Sequence, residues 1–224
     1  MLHLPCLLLI RHAQSQNNAL EDRYRVADPG ITDLGIAQSK KLAAMIAQLS
    51  PTVVYCSPFL RSLETTRWAI EPLKSVPIVR QDLYEQGGYS GYQEGQRIAH
   101  LGMNRETLAR NYSGWQLDDR INQEGWYDLD HYESAEEARK RAIRVRKWFE
   151  SESQTHSAQD RVAMVIHADF KMRLVEAFLE DDEIEEQLGE IVNTSITRLS
   201  RSKGRWRMDF WNVFSHLDPH EISC

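Results

Sequence analysis

The apolar run Leu7-Leu8-Leu9-Ile10 passes, with no turn residue between, into Arg11-His12-Ala13-Gln14. A run of this kind reads as a buried strand that delivers a cation and an imidazole to its carboxyl end, where open α/β sheets form their ligand crevices. Taking a guanidinium and a titratable ring out of water there is costly unless an anion meets them. A phosphate satisfies both groups. Taken alone, the tetrapeptide also fits a strand that merely ends in polar residues, so the rest of the chain has to decide.

At 224 residues the chain has the length for one substantial domain with room for an insertion. A net charge of −6 and the lack of any lysine or arginine block argue against a nucleic-acid partner, whereas a few focused arginines still suffice for a small anion. Cys6, Cys56 and Cys224 lie far apart with no CxxC pair, which points to a reducing compartment and away from a cysteine zinc site. The N-terminal apolar stretch has no basic flank or small-residue cleavage signal and reads as a first strand. No segment approaches the ~20 apolar residues that span a bilayer. The expectation is a cytoplasmic protein without membrane contact; a homodimer is left open.

Strand and helix patterns alternate along the chain. Asp28-Pro29-Gly30 is turn chemistry, and Thr32 caps a helix carrying Leu34, Leu42, Ile46 and Leu49. Thr52 to Cys56 reads as a second strand, followed by Ser57 as a helix cap with Pro58 at the first helical position. Ile78-Val79 is a short strand candidate. The stretch from about 87 to 133, rich in Gly, Tyr, Trp and Asn, reads as an inserted lid with a short helix near Arg97 to Arg110. Ser134 with Glu137 forms a capping box, and Ala138, Ala142, Val145 and Phe149 make an apolar stripe on the helix that follows, to Glu152. Val162 to Ile166 is a third apolar strand ending in His167, and a helix runs from Phe170 to Leu179. Ile196 to Leu199 and Trp206 to Trp211 pair as a hairpin around Lys203-Gly204. The predicted fold is a three-layer α/β/α sandwich with a mostly parallel central sheet and an antiparallel edge, formed by residues 1–224 as a single domain.

Parallel strands place their carboxyl tips on one sheet edge, so Arg11-His12, Ser57 leading to Arg61, and His167 converge although distant in sequence. Guanidinium forks match phosphoryl oxygens, and imidazole supplies a donor or a nucleophile. For Arg61 alone, a place on a helix surface is the plainer alternative. At this point the chain resembles the histidine phosphatase superfamily, which also contains the cofactor-dependent phosphoglycerate mutases. Arg11-His12-Ala13-Gln14-Ser15 with Asn18 resembles its RHG-x-[TS]…N signature. Ile31-Thr32-Asp33-Leu34-Gly35 with Gln38 resembles LTxLGxxQ, and Ser57-Pro58-Phe59-Leu60-Arg61-Ser62 with Thr65 resembles SPLxRAxxT. Leu83-Tyr84-Glu85 through Gly95, Val165-Ile166-His167-Ala168 and Asn193-Thr194-Ser195-Ile196 continue the family order.

The resemblance implies a metal-independent phosphomonoesterase that hydrolyses a small phosphoester without a cofactor. His12 would be the nucleophile and form a phosphohistidine. Arg11, Arg61 and His167 would hold the phosphoryl oxygens, and Glu85 would protonate the leaving alcohol and then activate water. Asn18, Ser15 and Thr194 are weaker phosphate-binding candidates, with a loop or helix cap as the alternative for Asn18. Arginines beside His12 would keep it neutral, and a bound phosphate would raise Glu85. Alanine stands at 13 and 168 where the family has glycine, a change expected to be accommodated at modest cost.

Three alternatives stay open. A phosphomutase would return the phosphoryl group to substrate, but the longer basic lid of the family's mutases is not found here. A non-catalytic module would bind phospho-ligands without turnover, and a zinc hydrolase built on His12 and His167 lacks a third ligand at metal-like spacing. Outside the constellation, His3, His156, His216 and His220 read as solvated and the tryptophans as packing. Arg97, His100, Arg105, Arg110 and Arg120 are lid cations available to read the substrate.

Overall fold

The computed structural model describes residues 6–21, 24–73, 75–93, 96–152 and 160–224. Its centre is a seven-stranded sheet built from β1 (Cys6–Arg11), β2 (Val53–Cys56), β3 (Ile78–Val79), β6 (Gln116–Leu117), β7 (Arg161–Ile166), β8 (Ile196–Ser202) and β9 (Arg205–Val213). The order is β6-β3-β2-β7-β1-β8-β9. The pairings from β6 to β1 are parallel, and β8 and β9 add the antiparallel edge. The remaining strands, β4 (Ser90–Gln93) and β5 (Gln96–Ala99), form a separate hairpin.

Alternation along the strands splits the core into two layers, because successive side chains point to opposite faces. Leu8, Ile10, Val54, Cys56, Ala163 and Val165 pack on one face with α1 (Asp33–Leu49) and α2 (Leu60–Ala69). Leu7, Leu9, Tyr55, Val162, Met164 and Ile166 pack on the other with α4 (Ala135–Glu152) and α5 (Ala168–Leu179). The α/β/α expectation is met.

Local signals account for most elements. Thr32 caps α1 by accepting from the Gly35 amide at 3.0 Å, as the sequence indicates. Ser134 and Glu137 close the capping box of α4, and the stripe of Ala138, Ala142, Val145 and Phe149 is buried. Two expectations are corrected. The Arg97–Arg110 helix is replaced by strand β5 and a shorter helix α3 (Arg105–Asn111), capped by Asn104 accepting from the Thr107 amide at 2.9 Å. Ser57 does not cap α2. The helix starts at Leu60, and its first amide donates to Asp28 Oδ1 at 2.8 Å, a partner 32 residues upstream.

The 87–133 stretch is less separate than a lid would be, since β6 pairs with β3 and extends the main sheet. Arg105 donates to the carbonyls of Asp118 and Ile121, and Arg120 pairs with Asp118 and Asp82. Arg105 therefore braces the insertion internally, and Arg120 also ties it to Asp82 outside it. Arg110 is exposed and His100 lies edge-on to Tyr89, while the Arg97 side chain, Glu94 and Gly95 fall outside the described residues. His3 and His156 also fall outside them; His220 is exposed, as expected.

The loop after β1 is wedged against α1. A Cβ on Gly35 would stand 2.2 Å from the Gln14 carbonyl oxygen, a backbone atom that cannot retreat without moving the loop. Gly35→Ala is therefore expected to cost about 1–3 kcal/mol through overpacking. A lowered Tm in thermal denaturation checks this; an unchanged Tm would show that the loop shifts freely.

Candidate active site

Three strand tips meet as the parallel register requires. Arg11 lies beside Ile166 and Cys56 beside Val165. The ladder runs one residue past the strands: the His12 amide donates to the Ile166 carbonyl at 2.8 Å and the Ser57 amide to the Val165 carbonyl at 3.0 Å. The rings of His12 and His167 come to 5.1 Å between centroids, and Arg61 Nε donates to His12 Nε2 at 3.1 Å.

The tautomer of His12 follows from its neighbours. Nδ1 lies 2.7 Å from the Ala13 carbonyl oxygen, which can only accept, so Nδ1 carries the hydrogen and Nε2 the lone pair. Burial holds the ring well below the ordinary histidine pKa, with Arg61 and then Arg11 pushing in the same direction. Burial is the larger cause, and the expected push from the arginines adds to it.

His167 is also kept neutral, first by burial and then by Arg61. It is the cap residue of α5, so the positive end of the helix dipole adds to the local field. Its Nε2 meets Ser57 Oγ at 2.7 Å, and that oxygen already accepts from the Phe59 amide at 3.3 Å. Because a hydroxyl accepts through two lone pairs, either ring tautomer satisfies this contact; the one in which Ser57 donates to Nε2 leaves Nδ1 a donor. His167 Nδ1 and Arg11 Nε are both buried nitrogens with no partner within the protein. Orphaned buried polar atoms are rare, and two of them at one site, one on a guanidinium, call for an anion.

Arg11 is anchored by donating through Nη1 to the Ile191 carbonyl, and Arg61 lies over the Phe59 ring at 4.1 Å. Burial lowers the pKa of both guanidiniums while the Glu85 carboxylate opposes that shift. Glu85 enters from the loop after β3. Its Oε1 accepts from the Gln86 amide at 2.8 Å and the Phe170 amide at 2.9 Å. Burial and then the Asp169 carboxylate push its pKa up to about 7, against Arg61 and the two amides. The rise therefore precedes any bound phosphate.

The weaker candidates are placed differently. Ser15 donates through both its amide and its hydroxyl to Asn18 Oδ1, at 3.0 and 2.9 Å, capping a 3₁₀ turn over Gln16–Asn18. The Thr194 amide donates to the Arg11 and His12 carbonyls, whereas its hydroxyl faces His216 Nε2 at 3.0 Å. That contact corrects the expectation of a solvated His216, whose pKa burial lowers to about 4. Neither Ala13 nor Ala168 has a positive φ, so these positions do not require glycine.

A supporting layer went unassigned in the sequence. Thr65 Oγ1 accepts from the Ala13 amide at 3.0 Å, Gln38 Oε1 from the Gln14 amide at 2.8 Å, and Asn193 Nδ2 donates to the His12 carbonyl at 3.0 Å. Their places inside the recognised blocks were the available signal. Lys171 had none: it is fully buried and donates to the Ser195 carbonyl and hydroxyl at 3.2 Å. Among the described residues, the one His, Cys, Asp and Glu group with metal-ligand spacing is Asp218, His220 and Glu221, apart from His12 and His167.

The family model described as the histidine phosphatase superfamily, branch 1, matches residues 7–213. A 5''-phosphoribostamycin phosphatase of Niallia circulans is 40% identical over 81 residues, 34% of this chain and 38% of that protein. A 2,3-bisphosphoglycerate-dependent phosphoglycerate mutase of Nocardia farcinica is 32% identical over 99 residues, 42% of this chain and 40% of that protein. The chain thus matches about two fifths of the length of each curated relative. A mycobacterial glucosyl-3-phosphoglycerate phosphatase shares the fold, with a TM-score of 0.64 and 22% identity over 93% of this chain and 98% of that one. Because the family model spans nearly the whole chain, this protein belongs to branch 1 of the histidine phosphatase superfamily.

Proposed function

We propose that the chain hydrolyses a small phosphomonoester through a phosphohistidine on His12. The observation that carries this reading is the Nδ1 contact to the Ala13 carbonyl, which leaves the lone pair on Nε2, as a nucleophile there requires, on a ring kept neutral by its surroundings. As the phosphoryl group arrives, Arg61 exchanges its bond to Nε2 for phosphoryl oxygens, joined by Arg11 Nε and His167 Nδ1. Phosphoryl transfer passes through a loose transition state, so positioning and charge stabilisation supply most of the rate. The Nε2–P bond forms as the P–O ester bond breaks, and the leaving oxygen takes a proton from Glu85. With Oε1 held by two amides, Oε2 is the oxygen that carries that proton. Glu85 then removes a proton from water, whose oxygen attacks phosphorus, releasing inorganic phosphate and free His12.

The two arginines supply the positive charge this reaction needs and neutral His167 adds a hydrogen-bond donor, so chelators should leave activity intact. The Niallia circulans relative is a phosphatase, and the absence from this sequence of the mutases' longer basic lid favours water as the acceptor. The Nocardia farcinica relative is a mutase, whose reaction would pass label from the phosphoenzyme to a second phosphate ester. Release of label to water as inorganic phosphate is the expected result. Three free cysteines suit a reducing, cytoplasmic setting.

His12→Ala should abolish EDTA-resistant hydrolysis of p-nitrophenyl phosphate while leaving the melting profile close to wild type. Retained turnover would remove His12 as the nucleophile. Glu85→Gln should slow hydrolysis of an alkyl phosphate by about 10²–10³-fold and that of p-nitrophenyl phosphate far less, because p-nitrophenolate leaves with little protonation. Only the protonated carboxyl can donate, so kcat/KM for alkyl phosphates should fall as pH rises through about 7. The Glu85→Gln variant should lose that limb, and persistence of the limb would assign it to another group.

A further inference from the structure

Arg141 lies in the apolar stripe of α4 and is 1% exposed. Its Nε and Nη2 donate to the two oxygens of Glu133 at 2.7 and 2.6 Å, and the carboxylate is as deeply buried. Its Nη1 donates to the carbonyls of Asp82 and Tyr84, both at 2.9 Å. The guanidinium plane lies between the rings of Tyr84 and Phe170, at 3.6 and 3.7 Å from their centroids. The Tyr84 hydroxyl completes the cluster by donating to Glu133 Oε1 at 3.2 Å.

Two of the groups Arg141 touches, Tyr84 and Phe170, adjoin the proposed proton donor. Tyr84 immediately precedes Glu85, and Phe170 presents both its ring to Arg141 and its amide to Glu85 Oε1. One side chain thus ties the loop before Glu85, the start of α5 and the end of the 87–133 insertion into a single block. Replacing a buried ion pair with apolar residues of similar volume is often neutral or stabilising, so stability alone is a weak reason for this arrangement. A lysine lacks the planar fork that reaches two carbonyls and a bidentate carboxylate at once.

We propose that Arg141, with Glu133, is the positioning residue that aims the Glu85 carboxyl at the leaving-group oxygen. This rests on the reading of Glu85 as the acid. The insertion supplies Glu133, so the same pair couples the insertion to the protonation step while leaving the phosphoryl pocket untouched.

The test is a double-mutant cycle read with two substrates, p-nitrophenyl phosphate and the alkyl ester β-glycerophosphate, with vanadate affinity as a measure of the phosphoryl pocket. Arg141→Lys should lower kcat for β-glycerophosphate about tenfold or more, a general-acid-sized loss, with much less effect on p-nitrophenyl phosphate. Vanadate affinity should stay near wild type. In a Glu85→Gln background the same substitution should have little further effect, because the two residues act as one unit. Equal losses on both substrates, or losses that multiply in the double variant, would overturn the positioning role. If Glu85→Gln itself fails to separate the two substrates, the acid reading falls instead. Should Arg141→Lys not fold, Glu133→Leu combined with Arg141→Met removes the pair without leaving a buried charge. That variant is expected to keep its Tm and lose the alkyl ester selectively, and full alkyl esterase activity in it would refute the proposal.

Discussion

The site depends on β7 lying between β1 and β2, in parallel with both. Parallel pairing puts three carboxyl tips on one edge, and the two ladder bonds beyond the strands bring His12 and Ser57 onto the backbone of β7. The next residue after those bonds is His167, which fills the gap between them. No loop has to search for this geometry, because the sheet register sets it. Helices α2 and α5 then begin at the same edge, so their positive ends face the space where the tips converge. Fold and anion site are one consequence of the same pairing.

That convergence creates an electrostatic problem, and its solution gives the site its chemistry. Two guanidiniums and two imidazoles share a space largely closed to water, so the cheapest response is for both rings to stay neutral. Neutrality is what a nitrogen nucleophile requires. The same surroundings act oppositely on Glu85: burial and Asp169 favour its protonated form, and Arg61 with two amides favours the carboxylate. A balance near neutrality is what the proposed reaction asks of one carboxyl that gives a proton in one half-reaction and takes one in the next.

Much of this was legible in the sequence, for identifiable reasons. The runs in β1 and β7 are uninterrupted and apolar, and α1 and α4 carry caps with matching stripes, so local pattern and final fold agree. The strand tips then predicted which charged residues would meet. The insertion was opaque because its elements are short and their partners distant: Gln116–Leu117 has no strand-like pattern and is a strand through pairing with Ile78–Val79. Asp28 as the cap of α2 was equally hidden, since a side chain 32 residues away leaves no local mark. Ser57 could not serve as that cap while its hydroxyl fixed His167. Arg141 did leave a signal. It stands three residues after Ala138 and four before Val145, inside the buried stripe, where an arginine has to find partners.

The two halves of the site differ in what supports them. His12 and His167 sit on the sheet and are held mostly by backbone groups and small polar side chains from the core helices. Glu85 comes from a loop, and its setting depends on Phe170, on Arg141 and, through Glu133, on the insertion. The phosphoryl group is common to every phosphomonoester, whereas the alcohol is what distinguishes them. An insertion can therefore vary to fit a new alcohol while the strand tips stay fixed, provided it keeps the carboxylate that orients Arg141. Chemistry is carried by the part of the molecule that the sheet makes rigid. Adaptation to the leaving group falls to the insertion, which is joined to that part by strand β6, by the Arg120–Asp82 pair and by the buried Glu133–Arg141 pair.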